Sequence, residues 1–254
     1  MNYNYHTHTY LCNHAEDTPE EYVKKAINGG IKRMGFSDHM PHIYSNGFEA
    51  GYRVPVSKAE EYIAEVKKVK EKYKDHIEII LGFEMEYFPE AFAKMCQNAK
   101  DYGAEYLIYG CHYYEEMGTY CGLETDETDV LKKYVTNVVE AMKTGVYTYI
   151  AHPDLINYVG EIELYEDEMR KICVASKETG IPLEINFLGI RTNRVYPRDE
   201  FWKIAGEEKC PVTYGFDAHD ADGACDLESL TKANELVEKY ELNYIGEPQI
   251  IFLD

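Results

Sequence analysis

Short apolar runs alternate along the chain with longer segments in which apolar residues recur every three or four positions. "MNYNYHTH", "IKRMGFSDH", "IEIILGFEMEYF", "AEYLIYGCHYY", "VYTYIAHPD", "IPLEINF" and "PVTYGFDAH" read as strands, apolar in their bodies and polar at their ends. Amphipathic stretches of helical length lie between them. "TPEEYVKKAINGG" predicts a helix with Thr18 as N-cap, Pro19 at the first helical position and Gly29-Gly30 as its stop. "VSKAEEYIAEVKKVKEKYKD" predicts a long helix with Ser57 as N-cap and Ile63, Val66, Val69 and Tyr73 on the buried face. Further helices are expected over "EAFAKMCQNAKDYG", "DETDVLKKYVTNVVEAMKTG", "EDEMRKICVASKETG", "DEFWKIAGEEKC" and "LESLTKANELVEKYEL".

The result is about seven strand-helix units of similar length, with no Pro/Ser-rich linker or charge block between them. Residues 1–254 are expected to form one domain, an α/β barrel or an open doubly wound sheet. Composition adds little: apolar residues make up 45% and charged residues 28% of 254, as in soluble globular proteins, and the 24 tyrosines suggest amphipathic packing. No apolar window is long enough to span a membrane, so no membrane partner is expected. Seven cysteines without a C-x-x-C pair fit a reduced, cytoplasmic setting. Charge matters more. A net charge of −20 repels phosphate backbones and argues against nucleic acid as a partner. It also repels a small anionic substrate unless local cations reverse the field. Nothing in the sequence speaks to oligomeric state.

Chemistry gathers at the strand ends. In an α/β barrel the C-terminal ends of the strands converge on one face, where sites are built. Such convergence brings together His6, His8, His14, His39, Glu84, His112, His152, Asp217 and His219, using seven of the nine histidines and leaving His42 and His76. A lone strand-end histidine is ordinarily a packed residue. Seven together are costly to bury without partners and repel when protonated, and divalent cations remove both problems. Imidazole and carboxylate without thiolate suit Zn, Mn or Fe, and nine donors imply two or three ions. Cys111 should point away from its neighbour His112 by strand alternation. Glu86 shares a strand face with Glu84, and the residues alone do not decide between them.

In this order the motifs "HTHT", "GFSDH", "GFEMEY", "GCH", "AHPD", "EIN" and "FDAH" resemble the polymerase-and-histidinol-phosphatase (PHP) superfamily, from His6 to His219. That resemblance implies a distorted (β/α)7, TIM-like barrel holding a trinuclear metal site. It implies one ion on His6, His8, Glu84 and Asp217, a second on Glu84, His112 and His152, and a third on His14, His39 and His219. Glu84 follows the G-x-E pattern and would bridge, with hydroxide between the ions as nucleophile. Glu84, Asp217 and His219 are the implied catalytic residues.

Within the superfamily, "EINFLGIRTNRVYPRDEF" is similar to a segment of the monofunctional histidinol-phosphate phosphatases, which implies hydrolysis of L-histidinol phosphate. Other phosphorylated small molecules, such as a sugar phosphate or nucleotide, and phosphotyrosine are the alternative substrates. Arg191 and Arg194 are the expected phosphate clamp because a guanidinium fork matches phosphate oxygens, with Arg53 as a third candidate. In one respect the chain departs from the pattern. "LINYVGEIE", after "AHPD", lacks the basic residue that histidinol-phosphate phosphatases tend to carry there.

Overall fold

Eight parallel strands lie side by side in chain order: β1 (Tyr3–Asn4), β2 (Arg33–Phe36), β3 (Glu78–Met85), β4 (Tyr106–Gly110), β5 (Tyr147–Ala151), β6 (Leu183–Asn186), β7 (Pro211–Gly215) and β8 (Asn243–Tyr244). The computed structural model describes residues 1–253. Parallel neighbours need a crossover each time, and helices supply it. They are α1 (Pro19–Asn28), α2 (Ala59–Tyr73), α3 (Phe92–Asp101), α4 (Thr128–Lys143), α5 (Ile162–Thr179), α6 (Phe187–Arg191), α7 (Asp199–Glu208) and α8 (Leu227–Lys239).

The sheet curls until its first strand meets the end of β7. Ala218 N donates to His6 O at 3.1 Å and His8 N donates to Ala218 O at 2.9 Å. Seven strands therefore close, giving the distorted (β/α)7 barrel that the family resemblance implies and deciding against the open sheet that the repeat alone also allows. The distortion lies at the other end, where β8 pairs with Pro211 and Val212. There Tyr3 OH donates to Gly246 O at 2.9 Å and bonds Thr213 Oγ1 at 2.9 Å. Neither the two-residue β8 nor the five-residue α6 is foreseen from the sequence, because neither is long enough to show a period.

Local chemistry explains most element boundaries. Thr18 N donates to Glu21 Oε2 at 2.8 Å, closing the start of α1 as its sequence predicts. At α2 the expectation needs correcting. Val56–Lys58 form a 3-10 turn, the helix begins at Ala59, and Ser57 does not cap it. The buried face carries Ala59, Tyr62, Val66 and Val69, whereas Ile63 and Tyr73 are only partly buried. Tyr62 turns inward because its hydroxyl donates to Gly82 O at 3.0 Å, so an apolar ring is buried with its polar tip satisfied.

Inside the barrel the period-2 rule of strands stacks two layers. Tyr3, Tyr5, Ile80, Tyr106, Ile108, Tyr149 and Ala151 pack as one buried apolar cluster. Farther along the same faces come Glu84 on β3 and Glu184 on β6, both buried. Tyr106 fills the space over two glycines: a Cβ at Gly82 would lie 2.2 Å from its ring and one at Gly35 2.1 Å from its hydroxyl oxygen. Gly82→Ala therefore overpacks a closed barrel. Urea denaturation should show a loss of about 1–3 kcal/mol, and an unchanged midpoint would disprove the packing role given to Gly82.

Candidate metal centre

The carboxyl ends of the strands place their polar residues in one crowded layer. β1 leads directly to His6 and His8, whose rings lie 5.2 Å apart. The turn Tyr10–Cys12 ends on Asn13 with a left-handed backbone (φ 67), which sends the chain back. His14 thereby reaches His219, with their Nε2 atoms 3.0 Å apart. His39 follows β2 and bridges to the Glu84 backbone, Met40 N donating to Glu84 O at 2.9 Å.

Glu84 sits at the middle. Its Oε1 lies 3.0 Å from His152 Nε2 and 3.6 Å from His112 Nε2. Its Oε2 lies 3.2 Å from His39 Nδ1, 3.4 Å from His6 Nε2 and 3.5 Å from His8 Nε2. Asp217 Oδ1 lies 3.2 Å from His8 Nε2, 3.3 Å from His219 Nδ1 and 3.5 Å from His6 Nε2. Glycine makes the room, since a Cβ at Gly110 would fall 2.0 Å from Glu84 Oε1. Two non-glycine residues of the layer, His152 and Asp217, are held at φ 32 and φ 46. Such strain persists only where surroundings over-determine it. Here Glu184 accepts from His152 N at 2.9 Å and Arg191 donates to Asp217 O at 2.5 Å.

Two further carboxylates complete the layer. Glu184 Oε1 lies 2.7 Å from His6 Nδ1, and Asp38 Oδ1 lies 3.3 Å from His8 Nδ1. Each stands behind an imidazole and leaves Nε2 facing the centre, the arrangement that orients metal-ligating histidines. Neither was singled out as a candidate residue. The signal was present, because Glu184 stands in "EIN" and Asp38 in "SDH".

The electrostatics follow from burial and crowding. Burial would depress His6, but the carboxylates of Asp217, Glu184 and Glu84 outweigh it and push it up to about 10. His8 is likewise raised, against burial, by Asp217 and Asp38. His39 and His219 are driven down, chiefly by burial, with the neighbouring His8 adding to it. Burial would raise Glu84 and Asp217, yet the surrounding imidazoles hold both well below the usual carboxylate range.

The donor set fits divalent ions. His6 Nε2, His39 Nδ1, Glu84 Oε2 and Asp217 Oδ1 are buried without a hydrogen-bond partner. Donor atoms lie within 4.8 Å of one another in the groups His8/His14/His39/His219, His6/His152/Asp217, His6/His8/Glu84 and His39/Glu84/His112. All nine expected residues thus come together. They do not fall into three separate sets, because His6, His8, His39 and Glu84 each belong to more than one group. Cys111 packs away from the centre, its Sγ 3.7 Å from Asn137 Oδ1. Cys12 lies nearer, its Sγ 3.9 Å from His14 Nε2, and it forms a further group of close donors with His8 and Asp38.

The arginines divide. A cavity of about 280 Å³ opens over the layer, walled by Tyr52, Tyr113, Tyr120, Leu188, Arg194 and Tyr196. Arg194 faces it, with Nη1 donating to Tyr196 OH at 3.1 Å. Arg191 does not. It donates to Phe216 O at 2.7 Å and to Asp217 O, and lies 3.7 Å from Asp226. Its expected phosphate contact is corrected to a brace under Asp217. The short α6, which the sequence does not predict, turns Arg191 away. Arg53 is corrected too: it is fully buried, donating to Met40 O at 2.9 Å and to Glu86 Oε1 at 3.0 Å. A guanidinium so enclosed cannot meet a phosphate.

A family model described as PHP domain matches residues 4–187. A probable histidinol-phosphatase of Deinococcus radiodurans is 29% identical over 227 residues, covering 84% of this chain and 85% of that protein. A histidinol-phosphatase of Bacillus subtilis is 24% identical, covering 85% of this chain and 92% of that protein. Among solved structures, histidinol phosphate phosphatase from Lactococcus lactis complexed with Zn, L-histidinol and phosphate superposes with a TM-score of 0.70 at 19% identity, covering 96% of this chain and 95% of that one. At that identity the superposition speaks to the fold.

Two outcomes follow. Metal binding must displace protons that the carboxylates hold on His6 and His8, so adding zinc to metal-free protein at pH 7.5 should release one to two protons, and affinity should rise with pH. Proton-neutral binding would contradict the arrangement. Glu84→Ala should cost more metal per chain than His14→Ala when both are assayed by elemental analysis. Equal losses would rule out a central role for Glu84.

Proposed function

The chain belongs to the PHP domain family, and from that membership we propose a metal-dependent phosphomonoesterase that hydrolyses L-histidinol phosphate to L-histidinol and phosphate. The observation that carries this reading is the layer of buried, partnerless imidazole and carboxylate atoms beneath a cavity with one arginine on its wall. Two or three divalent ions, Zn, Mn or Fe, are the cofactors. His6, His8, Glu84 and Asp217 would hold one, Glu84, His112 and His152 a second, and His14, His39 and His219 a third, with His8 and His39 near enough to serve neighbouring ions. When bound, such ions activate water and neutralise charge on phosphoryl oxygens.

The chain's own residues do the rest. Arg194 supplies the forked donor for phosphate oxygens, and Tyr196 fixes its direction. Positioning and charge stabilisation are most of what phosphoryl transfer needs. Asp217 lies among the donors that would hold an ion, so it would serve as an anchor. His219 lines the cavity beside His14, their Nε2 atoms 3.0 Å apart. The tyrosine wall keeps bulk water from the reacting side and offers aromatic faces to an imidazole or ammonium group.

The substrate is a small phosphorylated molecule and the setting cytoplasmic, in keeping with the reduced cysteines and with a net charge of −20 that disfavours nucleic acid. Among the described residues no helix is long and apolar enough to cross a membrane. A second reading keeps the same centre with another phosphate ester. It is favoured by "LINYVGEIE", whose lack of a basic residue leaves Arg194, among the described residues, the one arginine or lysine on the cavity wall.

Phosphate release should be fastest on histidinol phosphate when it is compared with p-nitrophenyl phosphate and a phosphotyrosine peptide. Comparable rates across the three would reject the assignment. Removing Arg194 forfeits charge-assisted hydrogen bonds worth about 1.5–3 kcal/mol, so Arg194→Ala should lower kcat/KM roughly 10- to 100-fold. A wild-type value in that variant would remove Arg194 from the phosphate site.

A further inference from the structure

Glu84 and Glu86 share one strand face, and both are buried. Only Glu84 enters the imidazole layer. Glu86 Oε1 instead accepts from Arg53 Nη2 at 3.0 Å and from Tyr52 OH at 3.0 Å. The same oxygen lies 3.7 Å from His112 Nδ1, and both His112 Nδ1 and Glu86 Oε2 are buried without a hydrogen-bond partner. Arg53 is itself fully enclosed. Its guanidinium lies 4.7 Å from the Tyr52 ring centroid and 5.6 Å from that of Tyr44, and it donates to the carbonyl of Met40, the residue after His39. Val54 N donates to His39 O at 3.3 Å, tying the same loop to a second imidazole of the layer.

We propose that Arg53 and Glu86 are a positioning pair for the metal centre: Arg53 holds Glu86 behind His112, where it orients the ring and is kept from competing with Glu84 as a ligand. The inference rests on the metal-centre reading above. Metal-ligating imidazoles usually donate their second ring N–H to a carboxylate, and loss of that partner typically weakens metal binding. The chain already does this twice, with Glu184 behind His6 and Asp38 behind His8. Glu86 stands in the corresponding place behind His112, 3.7 Å from Nδ1 and short of a hydrogen bond. It differs because its place on the Glu84 face would let it turn inward, and a fixed guanidinium fork is the device that prevents this. A lysine could supply the charge but not the fork, nor the stacking on Tyr52. Tyr52 also walls the substrate cavity and packs edge-on to His39 at 5.4 Å, so the pair fixes wall and ligand together.

The test uses the zinc-loaded protein and reads zinc affinity by chelator competition together with the imidazole 15N spectrum of His112. Glu86→Gln is isosteric and keeps an acceptor for Arg53, but it leaves the buried guanidinium without its counter-charge and should lower the melting temperature. It should weaken the ion on His112 roughly 10- to 100-fold and move the His112 Nδ1 resonance. Arg53→Met should destabilise the fold by stranding a buried carboxylate. Adding Glu86→Gln to it should recover the melting temperature without recovering zinc affinity, and Arg53→Lys should recover affinity only in part. If Glu86→Gln keeps wild-type zinc affinity and an unmoved His112 spectrum, the pair is merely structural and the proposal falls. That result would leave the metal centre standing, whereas a wild-type protein that binds no zinc would overturn the reading beneath it.

Discussion

The structure is organised around one carboxylate that cannot be buried alone. Glu84 lies within 3.6 Å of five imidazoles, with its side chain almost wholly out of solvent. An ionised carboxylate is tolerable at such a depth only with compensating charge, and imidazoles that gather around it must share protons or cations. Neighbouring choices follow from that demand. Gly110 has no side chain because a Cβ would occupy the position of Glu84 Oε1. Glu184 and Asp38 take the outward nitrogens of His6 and His8, so that the inward nitrogens are the ones left for a cation. Arg191 spends its donors on backbone carbonyls to hold Asp217 in a strained conformation.

The barrel makes this arrangement affordable by keeping the polar layer thin. Alternation puts tyrosines below and carboxylates above on the same inward faces, so the closed lower interior excludes water while the upper end opens to the cavity. Tyr3 and Tyr106 suit this boundary because their rings bury as apolar surface while their hydroxyls reach carbonyls, Gly246 O at 2.9 Å and Tyr5 O at 2.8 Å. A floor of aliphatic residues would fill the same volume without supplying those ties between strands.

How much of this the sequence discloses depends on the range of the interaction. Residues whose position follows from strand ends, such as His6, His112 and His152, can be placed because parallel strands converge whatever their loops do. The seven repeats of one unit are legible too, but they fit a barrel and an open sheet equally, and only the strand-end motifs, through their resemblance, favour the barrel. Side chains whose direction depends on short irregular segments cannot be placed. Arg191 and Arg194 are three residues apart, and only the five-residue α6 decides that one braces the backbone while the other faces the cavity. Arg53 looks like a loop cation in sequence. Its enclosure by Tyr44, Tyr52 and Glu86 is a tertiary fact that no local pattern encodes. Tyr62 displaces Ile63 from the buried face of α2 because a carbonyl on another strand awaits its hydroxyl.

The acidic surface sharpens the chemistry of the site. A net charge of −20 acts at long range, but counterions screen exposed charges beyond a Debye length of about 8 Å at physiological salt. Charges enclosed by the barrel are screened far less, so ions held by the buried donors and the single arginine of the wall dominate within the cavity. An anion that reaches the mouth therefore meets a local field opposite in sign to the one that met it outside. A large polyanion cannot use that reversal, because most of its charge would remain against the acidic surface. A small phosphate ester can, because its whole charge fits within the cavity. If its organic part carries a positive group, the outer field and the tyrosine faces favour that part as well. Such a charge distribution favours a small ester with an anionic phosphate and a cationic or aromatic remainder.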